Sequence, residues 1–593
     1  MSLHQLLLHN TLPGAPSTTR AVPTPLSVFG NILAYGSGNL VVVRELEEPG
    51  TVIIGGRHTF PVTSVRISPS GNLVASGDQN GNVLVWTCQP DSREVLNMKQ
   101  LQGPVRDIAW THDEERLVVV GDGKSLFATV ISITGNTIGT INGHTQNVLS
   151  CDMRGESPYC IVTGGADAAV GFYEGVPFKF KCNVKGHTDK VTCVRYSPDM
   201  ETIATVSRSS DIILLDGKTA EQKGSIATGH TGTIYAIAWS PDGSELATAS
   251  ADKSVKVFDA ATGVMLRSCF FGADVMNMQQ GVVYTPQGVC SISLGGELAL
   301  IGEEGSIKGV LSGHQGRILL LRSYPNGTMI SVSVDRALMW RCQNNFSANA
   351  RKVYIASNFV TAAACGEDYL YLVSGTDLLR CALTDTEPTL LSRGAANATA
   401  LAITEDKSAV LLLKNGFVVI DASGRKVAEE KLGRFDGTSA AAHGSLVMLG
   451  GDALVKGYCV KAGAPPVACV QFAGHHRGVV ACVAFSRDGK RVASGDATRN
   501  IFVWSPVDGA VLYRDLVFHT LRVTSLAFAP QSSALLLSGG MDASLIVWDL
   551  NKATRKTEDA AHRGGVSAVA WTADGRLLSG GADFCVRQWS HSN

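Results

Sequence analysis

Short runs of alternating apolar and polar residues recur along the chain and predict β-strands. Examples are VTSVRISPSG from Val62, IYAIAWSPDG from Ile234 and VACVAFSRDG from Val480, each ending in a turn rich in Ser, Pro, Asp or Gly. An alternation of period two is typical of a strand with one buried face, and turn residues mark its end. A second apolar run follows in each unit, and a third ends in Trp or another large apolar residue, as at Trp86 and Trp548. The pattern therefore predicts an all-β protein of short successive strands.

A Gly-His pair, or a looser version of it, precedes each of eight such units. The eight histidines are His58, His144, His187, His230, His314, His475, His519 and His562. His144, His187 and His230 follow one another at intervals of 43 residues. The last three histidines, His475, His519 and His562, are separated by 44 and 43 residues. A period of about 40–45 residues with these marks is the signature of β-propeller blades.

Six weaker units fill the gaps between the eight. They are Leu26–Leu46, Val105–Ile131, Gln280–Ile301, Val353–Leu383, Ala395–Asp421 and Gly437–Val460. The total of fourteen predicts two seven-bladed propellers in tandem, residues 1–312 and 313–593, joined near Leu311–Gly313. We expect the N-terminal segment LHQLLLHN to supply the outermost strand of the seventh blade, which would close the first ring and remove a sheet edge.

The repeated polar positions are interpreted as a hydrogen-bond chain inside each blade. The loop His would bond the Asp of the tight turn, and a strand Ser or Thr and the Trp indole N–H would extend the chain. Each buried polar group then has a partner. The residues given this structural role are His144, His187, His230, His314, His475, His519, His562, Asp167, Asp252, Asp335, Asp542, Asp583, Trp86, Trp340, Trp504, Trp548 and Trp589.

Composition and charge narrow the class of protein. The formal net charge is -1 and charged residues are 17%, so no global field attracts nucleic acid. No apolar run reaches the roughly 18–20 residues of a membrane helix, and the N-terminus lacks the basic start of a secretory signal. The fourteen cysteines include no C-x-x-C pair and are read as buried free thiols. These features predict a soluble cytoplasmic protein.

Motifs for catalysis are missing from the sequence. The string VVVGDGK has Val118 where a phosphate loop requires glycine. A G-x-S-x-G nucleophile elbow is absent, and neither a paired-carboxylate nor a metal-binding constellation is visible. We therefore expect a non-enzyme with no cofactor and no metal.

The stretch GVPFKFK, Gly175–Lys181, concentrates aromatic and basic residues in a chain that is otherwise sparing with both. We predict that strand Ala168–Glu174 ends at this turn and that Phe178–Val184 forms the outermost strand of its blade. Period-two alternation would place the two phenylalanines on one face and the two lysines on the other. Taken alone, the pattern favours an ordinary outer strand with packed phenylalanines and solvated lysines.

The wider sequence around this stretch resembles a known family. The repeats resemble the WD-repeat family, and PYCIVTGGADAAVGFYEGVPFKFK followed by GHTDKVTCVRYSPD resembles one blade of the actin-interacting protein 1 family. Further matches are ASGDQNGNVLVW, GPVRDIAWTHDEERLVVVGDG, IYAIAWSPDG with SADKSVKVFD, SGGMDASLIVWD and AHRGGVSAVAW. The matches cover the first propeller and the last three blades, whereas residues 323–470 are supported by length and periodicity.

The resemblance implies a function and a site. Members are double seven-bladed propellers that bind actin filaments decorated by ADF/cofilin and promote their disassembly, enhancing severing and restraining barbed-end regrowth. The family's binding surface includes the Lys and the second Phe of the string, which fall on Lys179 and Phe180; Lys181 is their neighbour. Acidic positions in preceding blades contribute in the family, and Asp122 is the candidate for one. A basic-aromatic pair suits a hot spot on an acidic filament.

The chain departs from the family pattern at two positions. Ala166-Asp167 stands where the family often has two acids, and Lys190 where it often has an aromatic residue or Val. Both changes raise the local positive charge, so Lys190 joins the candidate site residues. We expect a cytoplasmic monomer on the actin cytoskeleton whose partners are actin filaments and ADF/cofilin, with no nucleic acid and no membrane.

Two alternatives from other classes remain at this stage. A general WD-repeat scaffold, for example a ubiquitin-ligase or ribosome-biogenesis adaptor, would usually add a motif or a basic tail, and neither is visible. An enzyme built on a propeller would need a polar constellation in a central channel, and the sequence shows none.

Overall fold

The regular structure in the described part of the chain consists almost entirely of small antiparallel sheets. The structure is a computed structural model that describes residues 6–46, 52–89, 92–124, 126–209, 211–341, 351–355, 358–383, 388–395 and 397–591. These residues form fourteen sheets, thirteen with four strands and one with three, and contain no α-helix. The all-β class and the two seven-bladed propellers predicted from the repeats are confirmed.

The chain divides into two compact units. One is Ala15–Ser312, here called the first propeller; the other is Met1–Gly14 together with Gly313–Asn593, the second propeller. The earliest strand, β1 (Leu6–Leu12), belongs to the second propeller.

The first propeller contains seven four-stranded sheets, blades one to seven, and one turn of 3₁₀ helix, Val275–Asn277. Its strands are β2 (Ser27–Phe29), β3 (Ile32–Ser37), β4 (Leu40–Glu45), β5 (Val52–Gly55); β6 (Val62–Ile67), β7 (Leu73–Asp78), β8 (Asn82–Thr87), β9 (Glu94–Lys99); β10 (Val105–Trp110), β11 (Arg116–Gly121), β12 (Ala128–Ser132), β13 (Thr137–Thr140); β14 (Val148–Met153), β15 (Cys160–Gly165), β16 (Ala169–Glu174), β17 (Lys179–Lys185); β18 (Val191–Tyr196), β19 (Thr202–Ser207), β20 (Asp211–Asp216), β21 (Gln222–Ala227); β22 (Ile234–Trp239), β23 (Glu245–Ser250), β24 (Ser254–Asp259), β25 (Met265–Phe270); β26 (Gln279–Thr285), β27 (Gly288–Ser293), β28 (Leu298–Ile301) and β29 (Ile307–Leu311).

The second propeller also contains seven sheets, and its third blade has three strands. Its strands after β1 are β30 (Ile318–Ser323), β31 (Thr328–Ser333), β32 (Arg336–Arg341), β33 (Arg351–Ile355); β34 (Val360–Cys365), β35 (Tyr369–Ser374), β36 (Asp377–Ala382), β37 (Thr389–Arg393); β38 (Ala400–Ile403), β39 (Ala409–Ile420), β40 (Lys426–Asp436); β41 (Ser439–His443), β42 (Leu446–Gly451), β43 (Leu454–Cys459), β44 (Val467–Phe472); β45 (Val480–Phe485), β46 (Val492–Asp496), β47 (Ile501–Trp504), β48 (Val511–Leu516); β49 (Val523–Ala529), β50 (Ser532–Gly540), β51 (Leu545–Asp549), β52 (Thr554–Glu558); β53 (Val566–Trp571), β54 (Leu577–Gly581) and β55 (Val586–His591).

Apolar side chains fill the space between neighbouring blades. The first strand of each blade is innermost, because these strands contact one another around the ring. Between blades one and two of the first propeller, Val41 and Val43 pack with Val62 and Trp86. The same kind of packing, with Leu33 and Tyr35 in a cluster with Cys290 and Leu298, closes this ring between blades one and seven. The hydrophobic core is therefore a ring of wedges around a channel.

The N-terminal strand closes the second ring, so the prediction that it closes the first is wrong. β1 runs antiparallel to β55, with Leu8 opposite Trp589 and Leu12 opposite Val586. Blade seven of the first propeller already has four strands from its own segment, β26–β29, whereas β53–β55 supply only three. β1 therefore pairs where a strand edge would otherwise be open.

The hydrogen-bond chain of the blade is complete in blades five to seven of the second propeller. In blade six, His519 Nδ1 lies 3.0 Å from Asp542 and Nε2 lies 2.9 Å from Ser538 Oγ, which also accepts the Trp548 indole N–H at 2.8 Å. In blade seven, His562, Asp583, Ser579 and Trp589 are joined in the same order. These chains link the loop, the turn and two strands of each blade.

In blade five the sequence assignment chose the wrong histidine of an adjacent pair. His476 contacts Asp496 at 2.9 Å and Ser494 at 2.7 Å, and Trp504 donates to Ser494 at 2.7 Å. His475 is exposed and its ring meets Trp504 edge-on at 5.3 Å. His476 is the buried member of the pair, and it is the one that joins the hydrogen-bond chain.

Three other blades depart from the expected chain. His314 Nδ1 bonds Ser333 Oγ at 2.7 Å, and that hydroxyl bonds Asp335 at 2.6 Å, so the expected direct His–Asp bond is replaced by a bridge. Trp86 is buried, but its indole N–H has no hydrogen-bond acceptor among the described residues. His187 Nε2 contacts Thr205 at 2.8 Å while its buried Nδ1 has no partner among them, because the turn carries Ser209 in place of Asp.

Candidate protein-binding site

The Phe178–Lys181 stretch begins with a residue that belongs to the turn, not the strand. Phe178 has a φ of +69° and is 3% exposed, and it packs among Val118, Val148 and Tyr173. β17 begins one residue later, at Lys179. The prediction that Phe178 and Phe180 share a face is therefore wrong, since the alternation of the strand does not include Phe178.

Phe180 is held in place but remains half exposed. It is 47% exposed, and its ring meets Tyr173 edge-on with the centroids 5.7 Å apart. It also covers Gly143, where an added Cβ would lie 2.7 Å from the ring. Asn183 Nδ2 donates to the Gly143 carbonyl at 3.0 Å, which fixes that loop. One face of the ring is thus seated on the blade and the other faces solvent.

The two lysines beside Phe180 differ in their electrostatic partners. Lys181 forms an ion pair with Glu174, which raises the pKa of the Lys181 ammonium, and its Nζ lies 5.5 Å from the centroid of the Phe172 ring. Lys179 is exposed and forms no ion pair with a described residue. The pairing register skips at Lys181, so Lys179, Phe180 and Lys181 are all exposed instead of alternating. A single unpaired cation therefore flanks the exposed ring.

The structure does not bring Lys190 and Asp122 to the same end of the blade as Lys179. Lys179 follows the β16–β17 turn, whereas Lys190 lies in the connection to β18 at the other end of β17, roughly 20 Å away along the strand. Asp122, in the corresponding end of blade three, accepts two hydrogen bonds from Arg106, at 3.1 and 2.5 Å. Lys190 is exposed, but Asp122 already has its counter-ion.

Asp167, the acid of the Ala166-Asp167 pair, forms its hydrogen bonds within its own blade. Asp167 lies 3.0 Å from His144 Nδ1 and accepts the Thr145 N–H at 2.9 Å. These backbone and histidine hydrogen bonds lower the pKa of the Asp167 carboxyl despite its partial burial. No second carboxylate stands beside it in the turn, since residue 166 is Ala.

The central channel of the first propeller holds a polar group that the sequence analysis missed. Asp107 is buried and lies 2.8 Å from Arg195 and 3.2 Å from Arg66, and it accepts the Ser150 hydroxyl at 2.8 Å. These arginines hold the pKa of the Asp107 carboxyl below its usual range although burial opposes them. The group lines a cavity of about 350 Å³. Its members come from four blades, so no local motif signals it.

The channel group binds the blades to one another and shows no set of metal ligands. Both oxygens of Asp107 are engaged by the two arginines, Ser150 and the Cys151 N–H. Among the described residues, no cluster of three or more His, Cys, Asp or Glu side chains is placed to hold a metal ion. None of the described segments forms a helix of the length and apolar character that a membrane span requires.

Comparison with known proteins agrees with this architecture. The family described as "WD domain, G-beta repeat" matches residues 52–87, 178–216, 222–259, 467–505, 511–549 and 554–590. The chain is similar to "66 kDa stress protein" of Physarum polycephalum, 33% identical over 98% of each chain. It is 31% identical to "Actin-interacting protein 1-2" of Arabidopsis thaliana, over 98% of this chain and 99% of that protein. It is 30% identical to "WD repeat-containing protein 1-B" of Xenopus laevis over 95% of each.

The repeats, the fourteen blades and the hydrogen-bond chains define a WD-repeat double β-propeller. The similarity to proteins named actin-interacting protein 1 extends over nearly the whole chain. The protein therefore belongs to the actin-interacting protein 1 family.

Proposed function

We propose that this protein binds actin filaments that carry ADF/cofilin and promotes their disassembly, by enhancing severing and capping barbed ends. The proposal is supported by relatives named actin-interacting protein 1 in two organisms, 31% and 27% identical. The observation that carries it is the half-exposed Phe180 ring beside the unpaired Lys179.

The geometry of Phe180 suits a binding anchor. Large aromatic side chains dominate binding energy when they fill a pocket on the partner, and little is lost on binding when the ring is already ordered. The contacts with Tyr173 and Gly143 hold the Phe180 ring before a partner arrives. Lys179 adds a positive charge that orients an acidic partner. Lys181 contributes less, since Glu174 neutralises it.

The mechanism in this proposal is differential binding. A protein that binds the cofilin-bound filament more tightly than the bare filament shifts the population toward the altered form and its broken ends. This needs no reaction at the protein, and accordingly we propose a non-enzymatic role without nucleotide, metal, nucleic acid or membrane. The protein would act as a monomer in the cytoplasm, at the actin cytoskeleton.

The test is filament disassembly watched by microscopy, with ADF/cofilin alone, with this protein alone and with both. Wild type should accelerate disassembly only together with ADF/cofilin, and Lys179→Ala/Phe180→Ala should lose that effect. A matched control is Val95→Ala/Lys99→Ala, which removes an exposed apolar residue and an exposed lysine from β9, the outermost strand of blade two.

Each outcome decides a different part of the proposal. A wild-type protein without effect would refute the function. A Lys179→Ala/Phe180→Ala variant that stays active would support the function but would show that β17 is not the binding site. Equal losses in this variant and the β9 control would show that the outer strands matter only for folding, and melting curves of both variants would reveal this.

A further inference from the structure

Several exposed arginines lie on one face of the second propeller, four of them in blades one, five and six. Arg317, Arg477 and Arg522 lie in the loops that lead into the innermost strands β30, β45 and β49, and Arg499 lies in the turn between β46 and β47. In an antiparallel meander, the loop before the first strand and the turn between the second and third strands lie at the same end. Blades five, six, seven and one follow one another around the ring, since β49 contacts β53 and β53 contacts β30. The four residues, here called the arginine arc, therefore share one face.

The backbone under the arginine arc is fixed by repeated hydrogen bonds. The Met541 N–H donates to the Arg522 carbonyl at 3.0 Å, and the Val334 N–H donates to the Arg317 carbonyl at 3.3 Å. In blade five the Ala497 N–H donates to the carbonyl of Val479 at 2.9 Å. Each bond ties the loop of a blade to its turn. The arginines thus project from a rigid rim, and a partner would not have to order it.

The four arginines of the arc have no direct counter-ion among the described residues. None of the four side chains forms a hydrogen bond or an ion pair with a described residue. The turn carboxylates of these four blades are engaged inside their own blades, Asp496, Asp542 and Asp583 by their histidines and Asp335 by Arg336. Exposed acids lie beside the arc and not within it. Asp559 directly follows β52 at the outer edge of its blade, and Asp436 and Asp452 lie at the adjoining blade four, at the end of β40 and in the turn after β42. Four guanidinium groups without a direct counter-ion would attract a carboxylate-rich partner, to which arginine can donate two parallel hydrogen bonds.

Exposed apolar side chains lie between the arginines. Val479, Leu521 and Met541 are 40%, 53% and 47% exposed. Beside them the Arg555 guanidinium covers the Phe518 ring, 3.4 Å from its centroid. Since about half of each apolar side chain is already buried, these residues form a shallow floor. Such a floor fits a protein surface better than a bilayer, where apolar anchors must reach below the headgroups.

We propose that the arginine arc and its apolar floor are a docking surface for an acidic protein segment in which carboxylates alternate with apolar side chains. The surface lies on the second propeller and uses no residue of the Phe178–Lys181 stretch. It goes beyond the proposed function and does not depend on it.

The probe is a fluorescent peptide of about 16 residues in which Glu and Asp alternate with Leu and Phe, enough to cross two or three blades when extended. Fluorescence anisotropy with the full-length protein should show binding that weakens with added salt, and a Gln/Asn analogue should not bind. Arg477→Glu/Arg522→Glu should raise the Kd about tenfold or more. The matched control is Lys490→Glu/Lys552→Glu, in turns at the opposite end of the same two blades, where the Kd should change less than about twofold.

Several results would overturn the proposal. They are no binding of the acidic peptide by wild type, equal binding of the Gln/Asn analogue, and equal effects of the two charge-reversal variants. Binding to phosphatidylserine vesicles that is lost in Arg477→Glu/Arg522→Glu, without peptide binding, would assign the face to a membrane instead. Lys179→Ala/Phe180→Ala should keep full peptide binding, so a failure of this proposal is distinguishable from a failure of the actin proposal.

Discussion

Introducing a carboxylate at Ser209 should stabilise blade five of the first propeller. His187 occupies the loop position of this blade, and its buried Nδ1 has no partner among the described residues. The neighbouring blades provide that partner, since His144 Nδ1 lies 3.0 Å from Asp167 and His230 Nδ1 lies 2.7 Å from Asp252. Ser209 stands at the equivalent turn position, two residues after its strand, so Ser209→Asp should complete the chain.

The magnitude follows from the group that is now unsatisfied. A buried polar atom without a hydrogen-bond partner costs about 1–3 kcal/mol, and a hydrogen bond to a charged partner contributes about 1.5–3 kcal/mol. Desolvation of the new carboxylate offsets part of this gain. We expect a net stabilisation of blade five of about 1–2 kcal/mol.

The pH dependence of wild-type stability provides a second test of the missing partner of His187. Burial lowers the pKa of His187 to about 4, so the folded protein holds the imidazole neutral. The unfolded chain takes up a proton below a pKa of about 6.5, so stability is complete above that pH and falls as pH drops toward 4, by about 3 kcal/mol in total. A carboxylate beside His187 would raise its folded-state pKa. The loss between pH 6.5 and 4 should therefore shrink in Ser209→Asp.

Hydrogen exchange read by mass spectrometry is the suitable assay, because a chain with two propellers need not unfold in one step. Amides of β19 should exchange about five- to thirtyfold more slowly in Ser209→Asp at pH 7, if exchange follows local opening. The reciprocal control is Asp252→Ser, which creates the same defect in blade six and should accelerate exchange of β23. Unchanged β19 exchange in Ser209→Asp, together with a clear effect of Asp252→Ser, would refute the claim that His187 lacks only a carboxylate.

Three further predictions test the corrected assignments. His476→Ala should destabilise blade five of the second propeller by about 2–4 kcal/mol, because two hydrogen bonds are lost. His475→Ala should destabilise it by less than about 1 kcal/mol. Hydrogen exchange of the β46 amides measures both effects, and a larger effect of His475→Ala would contradict the assignment. Deleting residues 1–12 should uncover β55 and lower the calorimetric transition of the second propeller alone, and a shift of both transitions would argue against closure by β1. Asp107→Ala should leave the Arg195 and Arg66 guanidinium groups without their buried counter-ion. The first propeller should then lose about 3 kcal/mol of unfolding free energy and melt at a lower temperature. An unchanged melting temperature would show that the channel group does not hold the blades together.

The fold was predictable because each blade repeats the same local chemistry. Alternation, turn residues and the His-to-His period all report contacts within about 45 residues, and such contacts leave a pattern in the sequence. The closing strand was not predictable in this way, since β1 pairs with β55 at the other end of the chain. The Asp107–Arg195 pair was missed for the same reason, because its members are 88 residues apart and belong to different blades.

For the candidate site, which stays a prediction, the sequence supplied the residues but not their geometry. The family resemblance located Lys179 and Phe180, and the structure places both on the surface. The alternation rule failed because Phe178 adopts a positive φ in the turn and the register skips at Lys181. Neither irregularity has a residue signature, since glycine, which favours such a backbone, stands at 175 and not at 178.

These two irregularities explain how an outer strand exposes three successive side chains, Lys179, Phe180 and Lys181. The three inner strands of a blade are constrained by the wedge cores on both sides and, in the blades that have one, by the His chain. The outermost strand has one free edge and one solvent face, so a turn residue can move into the core and its neighbours can turn outward without breaking a chain. At β17 this places Phe178 inside and Phe180 outside.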